Sequence, residues 1–84
     1  MATRDEMINE LLTKMFEFSG NYPPYTDLRS TVNQWRNTYS MPQDAKVKWL
    51  NWGAGFLQRR LGLSQSRAQI EMQILDQTWG LKTY

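Results

Sequence analysis

The chain has 84 residues, a formal net charge of +2 and four tryptophans, and it contains neither cysteine nor histidine. A chain this short forms one domain, residues 1–84, whose thin core benefits from large aromatic rings. The missing residue types exclude nearly every structural zinc site, a thiol nucleophile, a disulfide-built scaffold and the usual general base.

Basic side chains are concentrated in the middle of the sequence. Residues 28–70 carry seven basic side chains and one acidic side chain, whereas residues 1–27 carry two basic and five acidic ones. Such a basic segment indicates a polyanion or an acidic protein surface as a partner. A solvated face explains a charge of this size almost as well.

The first helix is predicted from a capping-box pattern at Thr3 and Glu6. Apolar residues then recur at the spacing of one helical face: Ile8, Leu11, Leu12, Met15 and Phe16. Gly20 suits the end of this helix. The segment SGNYPPY at residues 19–25 predicts a rigid elbow, because paired prolines exclude helical geometry just before them.

A second helix is expected from Thr26 or Asp27 to about Tyr39. Its apolar stripe consists of Leu28, Val32, Trp35 and Tyr39. Ser40 and Gln43 then form another capping-box pattern around Pro42, which predicts the start of a third helix.

This third helix, over about residues 42–61, carries two apolar faces. One face is aliphatic and consists of Val47, Leu50, Ala54, Leu57 and Leu61. The face roughly opposite is aromatic and consists of Ala45, Trp49, Trp52 and Phe56. A helix that is apolar on opposite sides is either sandwiched between other helices or contacts a partner. Gly53 and Gly55 indicate close packing or a local break.

The leading functional hypothesis is a non-catalytic binding protein that docks on another protein, self-association included. Its candidate partner-binding residues are the aromatic side chains and their basic rim: Trp49, Trp52, Phe56, Lys48, Arg59 and Arg60. Aromatic anchors with neighbouring arginines are typical of interface hot spots. Short, cysteine-free, tryptophan-rich chains of this kind resemble small phage or mobile-element proteins, such as virion assembly factors and host-directed regulators.

A last helix is predicted from Ser64 to about Trp79. Its apolar stripe consists of Ala68, Met72, Leu75 and Trp79, with Ile70 and Ile74 displaced to one side. Gly80 is expected to end it in a left-handed conformation, with Leu81 folding back as in a Schellman cap. Together these elements predict an all-α fold, a compact bundle of about four short helices.

Residues 54–73, under a quarter of the chain, resemble the helix-turn-helix pattern of DNA-binding proteins. The resemblance rests on Leu57, Leu61, Gly62, Leu63 and Ser64. It implies that residues 64–78 read DNA. Contacts to bases or phosphates would come from Gln65, Ser66, Arg67, Gln69 and Gln73, and contacts to the DNA backbone from Arg59 and Arg60.

Three positions depart from that pattern. Gln58 stands where the family has a small residue, Ala68 where it has a branched apolar one, and Glu71 where another apolar residue packs inward. These positions set the angle between the two helices. A Leu-Gly-Leu-Ser corner also joins ordinary helix pairs, because glycine ends one helix and serine begins the next. DNA binding is therefore the alternative hypothesis.

No pattern in the sequence predicts catalysis, a metal, a cofactor or a small-molecule substrate. The acidic residues of the first helix lie beside its apolar stripe, which is typical of a solvated face. The N-terminal segment is unlike a signal peptide, and no apolar run approaches the ~20 residues of a membrane span. We therefore expect a cytoplasmic protein without a membrane partner, or one in the host cytoplasm or virion if a phage encodes it.

Overall fold

The computed structural model describes residues 4–21 and 27–84 and forms, within these ranges, an all-α bundle with one small strand pair. The helices are α1 (Arg4–Ser19), α2 (Val32–Arg36), α3 (Gln43–Leu61) and α4 (Gln65–Trp79). Strands β1 (Ser40–Met41) and β2 (Lys82–Thr83) pair in parallel. The predicted bundle of four helices is confirmed. The predicted capping box at Thr3 and most of the proline elbow lie outside the described residues.

The core lies where α3 passes between α1 and α4. The predicted apolar stripe of α1 is entirely buried, as are Ala68 and Met72 of α4. Trp49 of α3 is at the centre, and its indole N–H donates a hydrogen bond to the backbone oxygen of Leu11 at 2.8 Å. Because a tryptophan N–H must find an acceptor when it is buried, this bond fixes α3 against α1.

The corner between α3 and α4 forms as its sequence predicts. Gly62 is left-handed, with φ of 67°, and its N–H donates to the backbone oxygen of Gln58 at 2.9 Å. The side-chain oxygen of Ser64 accepts a hydrogen bond from the backbone N–H of Arg67 at 3.2 Å and caps α4. Glycine ends one helix without steric cost and serine satisfies a free amide of the next.

The second helix is shorter than predicted, at both ends. Ser30 and Thr31 donate side-chain hydrogen bonds to the backbone oxygen of Asp27 at 3.3 and 3.4 Å, and these residues form a turn before α2. Beyond α2, the side chain of Thr38 bonds back to the oxygen of Gln34. The backbone on both sides makes turn-type bonds, from the N–H of Thr31 to the oxygen of Leu28 at 3.2 Å and from the N–H of Thr38 to the oxygen of Trp35 at 3.0 Å, so only the middle of the predicted helix forms.

α4 ends at Trp79 with Gly80 as its C-cap, as predicted, but the predicted cap at Ser40 and the predicted left-handed conformation of Gly80 are wrong. Ser40 does not cap α3 but lies in β1, and Pro42 is the N-cap without a side-chain hydrogen bond. Gly80 is extended, with φ of −72° and ψ of 151°, instead of left-handed. The extended conformation carries the chain past Leu81, which is buried against α1, and into β2.

A buried lysine ties the segment after α4 to α3. The amine of Lys46, which is almost fully buried, donates hydrogen bonds to the carboxylate of Asp76 and to the backbone oxygen of Leu81. The same amine lies 5.6 Å from the ring centroid of Trp49. A buried ammonium must be paired and hydrogen-bonded, and here both partners come from the end of α4 and the residues after it.

Candidate functional site

The aromatic face predicted to bind a partner is largely part of the core. Trp49 is 0% exposed and Phe56 is 5% exposed, so neither offers a surface to another molecule. Trp52 is half-buried and stacks on Phe56 with ring centroids 5.1 Å apart. The amine of Lys14 lies 5.5 Å from the Trp52 ring centroid. The prediction of three aromatic anchors is thus corrected: Trp49 and Phe56 belong to the core, and only part of the Trp52 ring is accessible.

The basic rim of that face is at the surface. Lys48 and Arg59 are exposed on the outer side of α3. Arg60 is exposed too, but its guanidinium pairs with Glu10 at 3.1 Å and lies 5.3 Å from the ring centroid of Phe56. Its charge is therefore partly compensated, and Lys48 and Arg59 contribute most of the positive potential on this side.

The residues implied to contact DNA are exposed along α4: Gln65, Ser66, Arg67, Gln69 and Gln73. Arg67 forms an ion pair with Glu71 at 2.7 Å, one helical turn further along. Of the three positions that depart from the helix-turn-helix pattern, Ala68 is fully buried, whereas Gln58 and Glu71 are half-buried. The glutamine-rich side of α4 is thus available for contacts, with one arginine whose charge is paired.

An apolar cleft of about 290 Å³, which the sequence did not predict, lies between α1, the end of α3 and α4. Apolar side chains from all three helices line it: Met7, Ile8, Leu11, Leu57, Leu61, Ile74, Leu75 and Trp79. Its polar lining consists of Arg4, Arg29, Glu71 and Thr78. A concave apolar surface with a few polar groups at its rim is the usual form of a binding site.

Three aliphatic side chains extend this cleft onto the surface. Leu61 is 50% exposed, Ile70 49% and Ile74 51%. Leu61 and Ile74 line the cleft, and Ile70 is one turn from Ile74 on the same side of α4. The three residues and the cleft together are the aliphatic surface. The sequence signals for it were the aliphatic face of α3, which includes Leu61, and the displacement of the two isoleucines from the α4 stripe.

Two arginines lie at the rim of the cleft. Arg29 pairs with Asp5 at 3.0 Å, and its guanidinium carbon lies 5.5 Å from the ring centroid of Trp79. The Nε atom of Arg29 is enclosed and has no hydrogen-bond partner in the structure. Arg4 makes no ion pair with any residue of the ranges 4–21 and 27–84. Because the Nε atom is enclosed and the guanidinium of Arg29 is paired, Arg4 is the rim arginine whose charge an approaching anion can meet.

The described part of the chain, residues 4–21 and 27–84, has neither a metal-ion cluster nor a membrane-spanning helix. Its acidic residues form no group of three or more that could hold a metal ion. None of its helices combines the length and the apolar character needed to cross a membrane. Comparisons of the whole chain with protein families, with curated proteins and with solved structures found no match. Functional proposals therefore depend on the geometry and chemistry of this chain.

Proposed function

We propose that this chain is a non-catalytic protein that docks on another protein through the aliphatic surface. The observation that carries the proposal is the half-exposure of Leu61, Ile70 and Ile74 beside an apolar cleft. Apolar side chains that form a continuous patch on a small protein mark interaction sites, because water contact with such a patch is unfavourable.

This surface differs from the aromatic one that the sequence favoured. Leu61 and Trp52 are nine residues apart on α3, and at 100° per residue they point to opposite sides of the helix. Trp52, Lys48 and Arg59 are left as a second, smaller surface. It offers one partly accessible ring, whereas the aliphatic surface offers three side chains and a cleft.

A peptide selection tests the proposal. Peptides are selected from a random display library on the immobilised protein, and their affinities are then measured for Ile74→Glu and for the neighbouring control Gln73→Glu. Ile74→Glu removes an apolar contact and adds a charge there, so we expect a loss of about tenfold or more. Gln73→Glu adds the same charge outside the aliphatic surface and should leave affinity nearly unchanged. Peptides that bind both variants equally would contradict the proposal.

DNA binding is the second candidate function. It is favoured by the exposure of the five α4 side chains that the helix-turn-helix resemblance implicates: Gln65, Ser66, Arg67, Gln69 and Gln73. The ion pairs of Arg67 with Glu71 and of Arg60 with Glu10 weigh against it, because both arginines would have to exchange a carboxylate for a phosphate.

Fluorescence anisotropy with mixed-sequence duplex DNA across a salt series tests this candidate. Binding whose log affinity falls steeply with log salt would indicate that several phosphates are neutralised. Arg67→Ala should then weaken binding without unfolding the chain, whereas Lys82→Ala, in β2 beyond the C-terminal end of α4, should have little effect. No binding at low salt would contradict DNA recognition.

Within the docking proposal, the chain acts as an assembly or host-directed regulatory factor of the phage or mobile-element type. It would work in the cytoplasm, in a host cytoplasm or in a virion. The support for this part is compositional: a chain of 84 residues with four tryptophans and no cysteine.

A further inference from the structure

The shape and charge of the cleft point to one class of partner. We propose that the aliphatic surface receives an amphipathic helix whose apolar face is flanked by acidic side chains. This inference depends on the proposed docking function and specifies the partner segment that the same surface would bind.

The shape of the cleft suits a helix. α1 and α4 both pack on α3, and the cleft lies between them with Leu57 and Leu61 of α3 in its lining. No residue of the five-residue α2 lines it. A groove between two helices accepts the apolar face of a third, whose side chains at positions i, i+3, i+4 and i+7 enter it. Such a helix would add a fourth long helix to the bundle.

The charges at the rim of the cleft favour a partner helix whose apolar face is flanked by acidic side chains. Glu71, the acidic side chain in the cleft lining, pairs with Arg67 at 2.7 Å, and the lining arginine Arg29 pairs with Asp5 at 3.0 Å. Arg4 also lines the cleft and has no ion-pair partner in the described part of the chain, so the rim keeps one uncompensated positive charge. Carboxylates beside the apolar face of a docked helix would therefore meet positive charge and few competing anions.

A second copy of the chain is a poorer occupant. Its one acidic amphipathic helix among the described elements is α1, which carries Asp5, Glu6, Glu10 and Glu17. The apolar stripe of α1 is buried in its own core and is unavailable unless the fold opens. The acidic helix must then come from another protein.

Two synthetic peptides test the inference. Both form helices with leucine at positions i, i+3, i+4 and i+7, and they differ only in carrying glutamate or lysine beside the leucines. Each is labelled and titrated with the full chain by fluorescence anisotropy at low and high salt. We expect the glutamate peptide to bind about tenfold more tightly at low salt, with a smaller advantage at high salt as the charges are screened.

Variants of the protein then locate the effect. Arg4→Glu should weaken binding of the glutamate peptide about fivefold, because an attraction becomes a repulsion. The matched control is Arg59→Glu, which makes the same change of charge on the outer side of α3. It should alter affinity by less than about twofold. Equal effects of the two variants would overturn the assignment of the acidic flank to the cleft.

The remaining outcomes separate the inference from the docking function. If both peptides bind equally and Ile74→Glu abolishes both, docking stands and the acidic helix is overturned. If neither peptide binds, the inference is overturned, whereas the docking function is judged by the library selection. If sedimentation shows a dimer that Ile74→Glu dissociates, a second copy occupies the surface and the acidic partner helix is overturned.

Discussion

The side chain of Met72 on α4 fills the space that a Cβ would occupy at Gly53 on α3. A Cβ at position 53 would overlap the Sδ and Cε atoms of Met72 and would lie 3.2 Å from Cδ2 of Leu11. Residues of α1, α3 and α4 therefore meet at one glycine. Because the distance between packed helices depends on the side chains at their contact, Gly53 allows α3 and α4 to approach closely.

Gly53→Ala is expected to lower the free energy of unfolding by about 1–2 kcal/mol. Although methionine is flexible, Met72 is 1% exposed and has little room to move, so overpacking should cost more than the gain in helix propensity, which is at most ~1 kcal/mol. Gly55→Ala is the matched control, since the nearest atom to its Cβ would be Nη1 of Arg59 at 3.4 Å. The free energy of unfolding of this control variant should rise by up to about 1 kcal/mol. Urea titrations followed by circular dichroism measure both, and similar changes in the two variants would contradict the packing described.

Lys46→Met is expected to destabilise the fold by about 2–4 kcal/mol, because the carboxylate of Asp76 and the backbone oxygen of Leu81 lose their donor. Lys48→Met, two residues away on the exposed side of α3, should change stability by no more than about 0.5 kcal/mol. Adding Asp76→Leu to Lys46→Met should restore part of the loss, since it removes the unpaired carboxylate. Thermal unfolding of the three proteins provides the measurement. Equal stability of the two methionine variants would show that the hydrogen bonds of the Lys46 amine to Asp76 and Leu81 do not stabilise the fold.

Trp49 and Trp52 should respond differently to truncation. Trp49→Ala removes a fully buried ring and its hydrogen bond to Leu11, so we expect a loss of about 3–5 kcal/mol. Trp52 is half-buried, so Trp52→Ala should lower the free energy of unfolding by roughly half as much as Trp49→Ala. Chemical denaturation measures both losses. A smaller loss at position 49 than at 52 would restore Trp49 as a surface residue.

The corner before α4 offers a matched pair of serines. Ser64→Ala removes the side-chain acceptor for the N–H of Arg67 and should cost about 1 kcal/mol. Ser66→Ala changes an exposed residue in the first turn of the same helix, where alanine is favourable, and should leave stability unchanged or slightly higher. Comparing the two melting curves tests the cap, and an equal response would mean that Ser64 does not cap α4.

Sequence patterns predicted the elements that are determined by neighbouring residues. α1 and α4 follow from apolar residues at helical spacing, and the corner follows from the conformational freedom of Gly62 and the oxygen of Ser64. The predictions failed where contacts between residues distant in sequence determine the backbone conformation. Ser40 was predicted to cap α3, but its pairing with Lys82 places it in β1. Gly80 ends α4 as predicted, but it is extended because the chain continues to the buried Leu81 and to β2.

The candidate site was less predictable for the same reason. The sequence established that α3 has two apolar faces. Which face is covered depends on how α1 packs against α3. The sequence therefore did not predict whether Trp49 lies in the core or at the surface. The cleft brings together Met7, Leu61 and Ile74 from three helices. The spacing of residues within one helix does not predict that these side chains line the same cleft. The sequence placed Leu61 on an aliphatic face of α3 and Ile74 beside the stripe of α4, but it did not predict that these two residues line one cleft.

The strand pair also has a consequence for the order in which the chain folds. It joins Ser40 to Lys82 and closes a loop that contains both α3 and α4. Contacts beside the corner at Gly62 join residues close in sequence, so they restrict the chain least and form fastest. The pairing of β1 with β2 brings together residues that are distant in sequence. It therefore costs more chain entropy than the contacts beside the corner do. We therefore expect folding to begin at the corner and the strands to pair after the α3–α4 hairpin has assembled.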